Sequence, residues 1–331
     1  MGKMIRCFLM IVLCCVAAQS VANANEADMV WRGLDDSRMR IVSGQCVVRG
    51  TTAKNGDTRE ENCLIVFDSQ KGFYRFDRIG VANSLLTPEY YYECWEPGTD
   101  RSAIERQPHT TRETSHKIDL FDIRMLGFFT LISVYNDLRY DKDTITRFLE
   151  NKKLVEFQRY NNGVVAITYI VTPKLIQLSD DEKTRQTYWI DPSTGFSLIK
   201  AEYRHSGGDV DTTEITWKEK NNVWVPDTCQ FLSNQGFSGV WKFDWMLVNE
   251  VIPTHFFEVS NLSETPVKVF SWELGEAVEI GTAGQGEEYF YETQDRHFHP
   301  FNVILMVIGI FLIVLGLGKK IYDYVKSRSR K

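Results

Sequence analysis

The sequence predicts a mainly β (α+β) protein built on an antiparallel sheet. Residues 187–204, TYWIDPSTGFSLIKAEYR, place two β-rich runs on either side of the turn-forming stretch 191–195, Asp-Pro-Ser-Thr-Gly. Proline presets one backbone angle of a turn and glycine accepts a positive one, so this stretch predicts a β-hairpin. Residues 154–172 repeat the pattern around 161–163, Asn-Asn-Gly, a strong hairpin turn. Short strands joined by such tight turns are antiparallel, because parallel strands need long crossovers.

Residues 1–24 predict a secretory signal peptide, the first of two membrane-directed ends. Lys3 and Arg6 give a positive start, residues 7–18 are an apolar core, and residues 22–24, Ala-Asn-Ala, form a small-x-small cleavage site. We therefore expect the mature chain to begin at Asn25. The alternative is an uncleaved anchor, but an apolar core of about a dozen residues is too short to span a bilayer.

Residues 301–318, FNVILMVIGIFLIVLGLG, predict a single transmembrane helix. These 18 residues carry no charge and span about 27 Å at helical rise, close to the thickness of a hydrocarbon core. The tail 319–331 is basic, so the positive-inside rule places it in the cytoplasm. The alternative, a buried helix at the chain end, does not explain an apolar run followed by a cationic tail. We therefore expect an inner (cytoplasmic) membrane anchor, with the bulk of the chain in the periplasm or another extracytoplasmic space.

The charge balance narrows the classes of partner. Loss of the signal peptide would leave 36 basic and 44 acidic residues. The tail from Lys319 holds six basic residues and one acid, so the part outside the membrane has a net charge of −13. This balance argues against nucleic acid as a partner of the outer domain. The basic tail suits contact with anionic lipid on the inner face of the membrane.

Four cysteines remain after the predicted cleavage: Cys46, Cys63, Cys94 and Cys229. An even number in an exported chain suggests up to two disulfides, and four cysteines allow three pairings. We expect Cys46–Cys63 with Cys94–Cys229, because the first pair could join neighbouring strands. Buried free thiols are the alternative, and the spacing does not resemble a zinc site.

The remaining elements of the outer domain follow from β-rich runs and turn residues. A short helix is expected at 26–34 and a long polar loop at 97–117. Besides the two hairpins, strands are expected at 37–48, 62–67, 71–78, 212–220, 224–233, 240–248 and 256–259. Residues 265–300 are expected to form a small β extension and a juxtamembrane linker, which leaves 25–264 as the main domain.

Residues 118–150 are expected to be helical. The first part, IDLFDIRMLGFFTLISVYNDL, is strongly apolar, and DKDTITRFLENKK after it has the acidic start and basic end that a helix favours. Asp119, Asp122, Arg124 and Asn136 interrupt the apolar run. We therefore expect a core helix or a lid here rather than a membrane span.

Motifs of catalysis and metal binding are absent from the sequence. It contains no GxSxG, HExxH, phosphate-binding loop or CxxC, so we expect neither an enzyme nor a cofactor. The glycine-rich residues 281–286 precede a strand-like run and are expected to be a turn. His205, Asp209 and Asp211 could bind a cation, and the carboxylates of Asp209 and Asp211 could serve a hydrolase, but a solvated hairpin loop is the favoured interpretation. The two histidines within 297–299 are expected to lie at the membrane interface, and no metal site is predicted.

Large aromatic residues concentrate in the β-rich half of the chain. Trp241, Phe243 and Trp245 alternate, so one face of that strand carries only large rings. Such rings mostly build cores, but a strongly curved sheet can leave them incompletely covered, as an apolar pocket. The candidate residues that line this hydrophobic cavity are Trp189, Phe196, Trp217, Trp241, Phe243 and Trp245.

Three stretches resemble the periplasmic lipoprotein-carrier superfamily, the LolA- and LolB-like proteins. They are the hairpin 187–204, VWVPDTCQF at 223–231 and FDWMLVNEVIPTHFFEV at 243–259. In that superfamily the first stretch is typically a strand ending in Trp-hydrophobic-Asp-Pro, a turn to glycine and a returning strand. The resemblance covers roughly residues 28–260 and implies a curved, half-open antiparallel sheet, a half-barrel, with helices on its concave face. It also implies acyl chains or lipidated proteins as ligands.

Two functional hypotheses follow. The first is a membrane-anchored extracytoplasmic binding protein whose half-barrel holds an acyl chain, a lipoprotein or another hydrophobic ligand. The predicted tether at 301–318 argues against a shuttle, because a carrier must diffuse between membranes. The second is a structural or stress-sensing envelope protein with a closed core, which would bind an envelope protein through a sheet edge or the 97–117 loop. A fully packed aromatic face would favour the second hypothesis.

Overall fold

The computed structural model describes residues 2–108, 121–128, 140–171, 184–273 and 276–284. Its contacts separate residues 1–289 from residues 290–331, and all described residues belong to the first unit. The helices are α1 (Gly2–Met39) and α2 (Thr144–Leu149), with single 3-10 turns at Ile123–Met125, Pro192–Thr194, Thr254–Phe257 and Val259–Leu262. The strands are β1 (Ser43–Lys54), β2 (Asp57–Asp68), β3 (Phe73–Arg78), β4 (Ala82–Leu86), β5 (Tyr90–Trp95), β6 (Ala103–Pro108), β7 (Lys152–Arg159), β8 (Val165–Val171), β9 (Arg185–Asp191), β10 (Ser197–Arg204), β11 (Val210–Lys220), β12 (Val223–Ser233), β13 (Phe237–Val248), β14 (Val267–Glu273) and β15 (Glu276–Ala283).

These strands form one sheet in the order β15-β14-β6-β5-β4-β3-β2-β1-β13-β12-β11-β10-β9-β8-β7. Neighbouring strands in the sheet are also consecutive in the chain, except at two long-range joins. The first join is the antiparallel pair β1–β13, which connects the two halves of the chain. The second is the parallel pair β6–β14, which brings β14 and β15 into the main sheet. Within the described residues, β7 and β15 each pair with one neighbour and form the two edges of the sheet.

The sheet is curved. The register shifts at 45/46 in β1, at 198/200 in β10 and at 216/217 in β11. Such β-bulges bend a strand and increase its twist, and open sheets of more than about ten strands curl. The predicted fold is therefore confirmed in its coarse form, as one large, curved, antiparallel sheet with few helices that fits a half-barrel.

The inner face of the sheet, defined as the face against which α1 packs, carries most of the core. Over β8, β9 and β10, the apolar side of α1 contributes Ala27, Val30, Trp31 and Leu34. Over β1–β3 and β11–β13, the same face is covered by Ile123 and Leu126. The opposite face is covered only locally in the described structure, where the turns at 254–262 pack Leu262 against β4, β5 and β6.

Both predicted hairpins are confirmed, as β7–β8 and β9–β10. Asp191 begins the second turn by accepting a hydrogen bond from the Ser193 amide at 2.9 Å. Gly195 ends it with a φ of +66°, which is the positive angle that the glycine was expected to accept. The predicted helix 26–34 is also confirmed, as part of the longer α1.

Several element predictions were wrong. Residues 37–39 belong to α1, so the strand predicted from 37 begins only at Ser43. The predicted loop 97–117 contains the strand β6. Its sequence is polar, which is typical of a loop, although the strand lies between β5 and β14. The strand predicted at 256–259 is replaced by two 3-10 turns, Thr254–Phe257 and Val259–Leu262, joined by the extended residue Glu258. Within the described part of 118–150, helix is limited to the 3-10 turn at 123–125 and to α2.

The predicted membrane-spanning segment and its flanking residues lie outside the part of the chain that the structure describes. The apolar run 301–318, the basic tail 319–331 and the two histidines of 297–299 all lie beyond the described residues. Among the helices that the structure describes, none combines the length and the apolar character that a membrane crossing requires. Signal-peptide cleavage and the transmembrane anchor therefore stay predictions.

Candidate functional site

The predicted aromatic strand is β13, and its alternation is confirmed. Trp241, Phe243 and Trp245 are buried on the inner face, whereas Val240 and Met246, which flank this run, point outward and are exposed. The neighbouring strands continue the face with Cys46 and Val48 of β1, Cys229 and Phe231 of β12, and Ile215 of β11. Trp217 packs against the edge of this cluster. Four of the six predicted residues are therefore brought together.

Each indole of this cluster donates a hydrogen bond that fixes its ring. Trp245 Nε1 donates to the Pro226 carbonyl at 2.8 Å, and Trp217 Nε1 donates to the Leu198 carbonyl at 2.9 Å. Trp241 Nε1 donates to the Glu61 carboxylate at 3.2 Å. Since a buried indole N–H needs a partner, these bonds hold the rings in one orientation.

Two glycines of β1 allow the rings to lie close to the backbone. A Cβ atom at Gly44 would lie 2.7 Å from the Trp245 ring, and a Cβ atom at Gly50 would lie 2.5 Å from the Trp241 ring. Real carbon atoms do not approach so closely, so any larger residue would push the rings away from the sheet. These glycines shape the aromatic face, and the sequence analysis did not identify them.

Phe196 and Trp189 are not part of the aromatic cluster. Phe196 packs into the core under α1, where its ring occupies the space above Gly33 and its own φ is +60°. Trp189 lies between Tyr188 and Ile190, both buried on the inner face, so Trp189 projects from the opposite face. There the Lys200 ammonium is 5.5 Å from the centre of its ring. Whether any of the six residues binds a ligand stays a prediction.

The aromatic face is covered by residues 121–128, which we call the plug. Ile123 and Leu126 pack into the cluster on β1–β3 and β11–β13, while Met125 and Phe128 pack into the cluster under α1. The plug thus joins the two halves of the inner core. It contributes no strand to the sheet, and its only regular element is the single turn Ile123–Met125.

A buried ion pair inside the plug holds its shape. Arg124 Nη2 lies 2.7 Å from Asp122 Oδ2, and the two side chains are at most 2% exposed. Arg124 also donates to the Tyr74 hydroxyl at 2.8 Å, which ties the plug to β3. The Tyr140 amide donates to Asp122 at 2.9 Å. Burial by itself would lower the pKa of Arg124, but the Asp122 carboxylate outweighs burial and keeps that pKa above its ordinary value.

A second arginine, Arg38 of α1, holds the plug from the other side. Its Nη2 donates to the Leu126 carbonyl at 3.1 Å, and its guanidinium lies 4.2 Å from the centre of the Trp217 ring. Its Nη1 is buried and has no hydrogen-bond partner among the described residues. Burial lowers the pKa of Arg38 to about 10, against the opposing effect of Tyr140 and Asp122. An incompletely paired buried cation costs free energy.

Two tyrosines complete the contacts of the plug. Tyr203 on β10 donates its hydroxyl to the Phe128 carbonyl at 2.6 Å. Tyr140 donates its hydroxyl to Asp35 of α1 at 2.7 Å. Side chains of α1, β3 and β10 thus hold the plug in place.

A small cleft of about 200 Å³ opens beside α1 at the turn of the 187–204 hairpin. Its walls come from α1, from the β9–β10 turn and from the β11–β12 turn. The residues that line it are Gly33, Asp36, Ser37, Arg40, Gly195, Phe196, Asn222, Val223 and Trp224. The cleft is too small for an acyl chain of ordinary length, since ligand pockets usually measure about 300–1,000 Å³.

The polar cluster at 205–211 is a loop of the β10–β11 hairpin. His205 Nε2 and Asp211 Oδ2 are 3.1 Å apart. The side-chain amide of Gln235 donates a hydrogen bond to the Asp209 carboxylate at 2.6 Å. In the part of the chain that is described, no group of three or more acidic, histidine or cysteine side chains is arranged to hold a metal ion.

The predicted disulfides are wrong. Cys46, Cys94 and Cys229 are free thiols, and burial raises the pKa of each, to about 11 for Cys94 and about 12 for Cys229. Cys94 on β5 and Cys229 on β12 are separated by six strand intervals, or about 29 Å along a flat sheet. Cys63 lies opposite Val48 rather than opposite Cys46. This diagonal relation puts the two Cα atoms about 7–8 Å apart, beyond the reach of a disulfide.

Comparisons with known proteins give similarities of structure only. No family model matches the chain, and no curated protein sequence matches it. A LolA superfamily protein from Nitrosomonas europaea is 13% identical, with a TM-score of 0.41 over 70% of this chain and 97% of that chain. A DUF1329 family protein from Desulfovibrio piger is 11% identical, with a TM-score of 0.43 over 71% of this chain and 98% of that one. A putative outer membrane lipoprotein-sorting protein domain from Vibrio parahaemolyticus is 12% identical, with a TM-score of 0.38 over 69% and 95%.

The LolA-like resemblance inferred from the hairpin sequences is thus also what the structural comparisons return. With identities this low and TM-scores below 0.5, the similarity identifies no ligand. A ligand has to be argued from the side chains of this chain.

Proposed function

We propose that this protein binds a hydrophobic ligand, an acyl chain or a lipidated protein, on the inner face of its half-barrel, in exchange for the plug. The observation that carries the proposal is the way in which the plug is attached to the aromatic face. Residues 121–128 fill the face with apolar side chains but are fastened by a few polar contacts from neighbouring elements. A segment held in this way can leave as a unit and uncover a face of large rings.

Burial of the plug side chains and burial of an acyl chain on the inner face contribute comparable free energies. Ile123, Leu126 and Phe128 are nearly or fully buried. Burial of each stabilises the closed form by about 1.5–3 kcal/mol, or about 5–9 kcal/mol together. An acyl chain contributes about 0.8 kcal/mol for each buried methylene, so about six to eleven methylenes replace what the plug loses. Binding also costs motional freedom, so chains longer than about ten carbons are expected to bind and short ones are not.

Arg38 supports the exchange further. In the closed form one of its nitrogens is buried without a partner. A ligand with a carbonyl or carboxylate group near Leu126 would provide the missing acceptor and would gain a charge-assisted hydrogen bond. This favours acyl ligands over pure hydrocarbons.

The place of action is part of the proposal. The signal peptide predicted at 1–24 and the membrane span predicted at 301–318 support a location outside the inner membrane, with the half-barrel tethered to it. A tethered half-barrel would take up or present its ligand at that membrane rather than carry it to another.

A chain-length series tests this function. Native mass spectrometry of the unit that ends at Tyr289 would be recorded with fatty acids of about six, twelve and sixteen carbons. We expect adducts with the two long acids and none with the short one. Trp245→Ala, which removes a ring from the inner face, should abolish the adducts, whereas Trp189→Ala on the opposite face should leave them unchanged. Adducts that ignore chain length, or that survive Trp245→Ala, would contradict binding on the inner face.

One observation favours the second candidate function, an envelope interaction protein with a permanently closed core. The three indole N–H groups of the inner face all have protein partners. If no fatty acid binds at any length while the fold is intact, this closed-core alternative is the better explanation.

A further inference from the structure

The small cleft beside α1 has walls from three elements that contact one another. The ring of Phe196, in the β9–β10 turn, lies so close to Gly33 of α1 that a Cβ atom at Gly33 would be 2.6 Å from it. A Cβ atom at Gly195 of the same turn would be 2.8 Å from the ring of Trp224 on β12. Walls packed this closely have little freedom to move. The cleft is therefore a preformed feature of the fold.

The backbone is fixed at each of the three walls. At the end of α1, the Arg40 carbonyl accepts a hydrogen bond from the Asn249 side chain at 2.8 Å. In the β11–β12 turn, the Asn221 side chain donates to the Val248 carbonyl at 2.8 Å. In the β9–β10 turn, Phe196 has a φ of +60°. A bulky residue rarely adopts this angle, and where the surrounding structure enforces it the position is often functional.

The polar groups of the cleft have no hydrogen-bond or ion-pair partner within the described part of the chain. These groups are the side chains of Asp36, Ser37, Arg40 and Asn222 and the indole N–H of Trp224. Asp36 and Arg40 are four residues apart, a spacing at which opposite charges on a helix often pair, yet no ion pair joins them. By contrast, the three indoles of the inner face all donate to protein acceptors. The polar groups of the cleft are thus free to bind a ligand.

The kinds of group in the cleft define the ligand that suits it. The Asp36 carboxylate and the Arg40 guanidinium balance each other, so the lining has no net charge. The guanidinium and the Trp224 indole donate hydrogen bonds, the carboxylate accepts them, and the side chains of Ser37 and Asn222 do both. The rings of Phe196 and Trp224 add apolar surface. A sugar ring matches this lining, because it is uncharged, its hydroxyl groups both donate and accept, and its C–H groups pack against aromatic rings.

We propose that this cleft binds one sugar residue. Its volume of about 200 Å³ is below the range of about 300–1,000 Å³ that is usual for pockets of larger ligands. A single ring is therefore the matching size, either as a free sugar or as one unit of a longer glycan that continues into solvent. Asp36, Arg40 and Trp224 do not belong to the inner-face clusters, so this proposal and the acyl-ligand proposal can fail separately.

The indole N–H of Trp224 provides a direct signal for binding. The full-length protein, labelled with ¹⁵N at tryptophan, would be placed in phosphatidylcholine nanodiscs, whose headgroups contain no sugar. Trp224→Phe identifies the signal by its loss. Glucose, galactose, mannose and N-acetylglucosamine would be added in turn, and leucine would serve as a zwitterionic comparison. We expect at least one sugar to shift the Trp224 signal with a dissociation constant of about 1 mM, as is usual for a ligand of this size.

Variants of the two charged residues test whether binding occurs in the cleft. Asp36→Asn and Arg40→Gln should each weaken binding several-fold, and the other indole signals report whether each variant is folded. The matched control is Arg32→Gln, at an exposed position of α1 that does not line the cleft, which should bind as the unchanged protein does. Equal effects of all three variants would overturn the proposal.

The range of ligands decides the chemical class. A disaccharide of the binding sugar that binds more tightly than the free sugar would identify the cleft as the site of one glycan unit, whereas equal binding would identify a site for the free sugar. Either result supports the proposal. If none of the four sugars shifts the Trp224 signal, or if only leucine does, the cleft is not a sugar site and the proposal is overturned.

Discussion

Removal of the Arg124 charge should destabilise the protein strongly, because it leaves the Asp122 carboxylate buried without its cation. The pair is the most buried ion pair among the described residues, with the closest atoms 2.7 Å apart. Breaking a buried pair by removing one partner costs about 3–5 kcal/mol. We therefore expect Arg124→Met to lower the free energy of unfolding by about that amount, measured by urea denaturation of the unit that ends at Tyr289.

A second substitution at Asp122 should recover part of this loss. In Asp122→Asn with Arg124→Met, neither position of the pair carries a charge, and the amide oxygen of Asn can still accept the hydrogen bond from the backbone amide of Tyr140. The double variant should be more stable than Arg124→Met by about 2 kcal/mol or more, although it carries one more change. The exposed pair Arg49–Asp244, at 2.6 Å, provides the control, since Arg49→Met should change stability by at most about 1 kcal/mol. A double variant that loses the sum of the two single losses would refute the reasoning.

Three further predictions follow from contacts and burial. Gly44→Ala should lower stability by about 1–3 kcal/mol in thermal unfolding because its Cβ would meet the Trp245 ring. Gly207→Ala should not, because its Cβ would meet only the Asp209 carboxylate, at an ordinary contact distance of 3.8 Å. Burial lowers the pKa of Lys152 from 10.5 to about 6, so the folded state binds fewer protons than the unfolded state between these two pH values. Stability should therefore rise with pH across that window, and Lys152→Met should flatten the rise; an unchanged slope in Lys152→Met would show that the ammonium stays charged beside the Phe148 ring, whose centre is 3.2 Å from Nζ. Cys46, Cys94 and Cys229 should react with a thiol reagent at about pH 8 only after unfolding, because burial raises the pKa of each thiol; fast reaction of the native protein would show that the core opens.

Local sequence signals predicted the hairpins well. The turns at 161–163 and 191–195 combine asparagine, proline and glycine in patterns that few other structures accept, and both hairpins formed where expected. The alternation of Trp241, Phe243 and Trp245 likewise gave the correct shared face. The same alternation places Trp189 on the face opposite to Tyr188 and Ile190, which flank it, and so excludes Trp189 from the inner face.

Long-range pairing was not predictable from these signals. The join of β1 to β13 and the parallel pair of β6 and β14 depend on the whole sheet, and no residue pattern marks them. β4 was missed because it is buried on both faces and shows no alternation. β6 was missed because its charged residues are paired inside the sheet, as Arg106 is with Ser271.

The plug was interpreted as part of a helix because its sequence is apolar. Asp122 and Arg124 were seen only as interruptions of the apolar run, although two opposite charges two positions apart can neutralise each other. Their partners Tyr74 and Tyr140 come from distant parts of the chain, as does Arg38, which donates to the Leu126 carbonyl. A buried network of this kind becomes visible only when the fold has brought its members together.

The most direct test of ligand exchange on the inner face is site mapping with a photoreactive long-chain fatty acid. The full-length protein in native envelope membranes would be irradiated with the probe, and the labelled residues would be identified by peptide mass spectrometry. We predict labels on the inner-face residues of β11–β13 and on the plug, and stronger labelling there in Arg124→Met, whose plug is loosened. Labels confined to residues 301–318, with none on the inner face in either protein, would contradict the exchange and leave the half-barrel as a closed core.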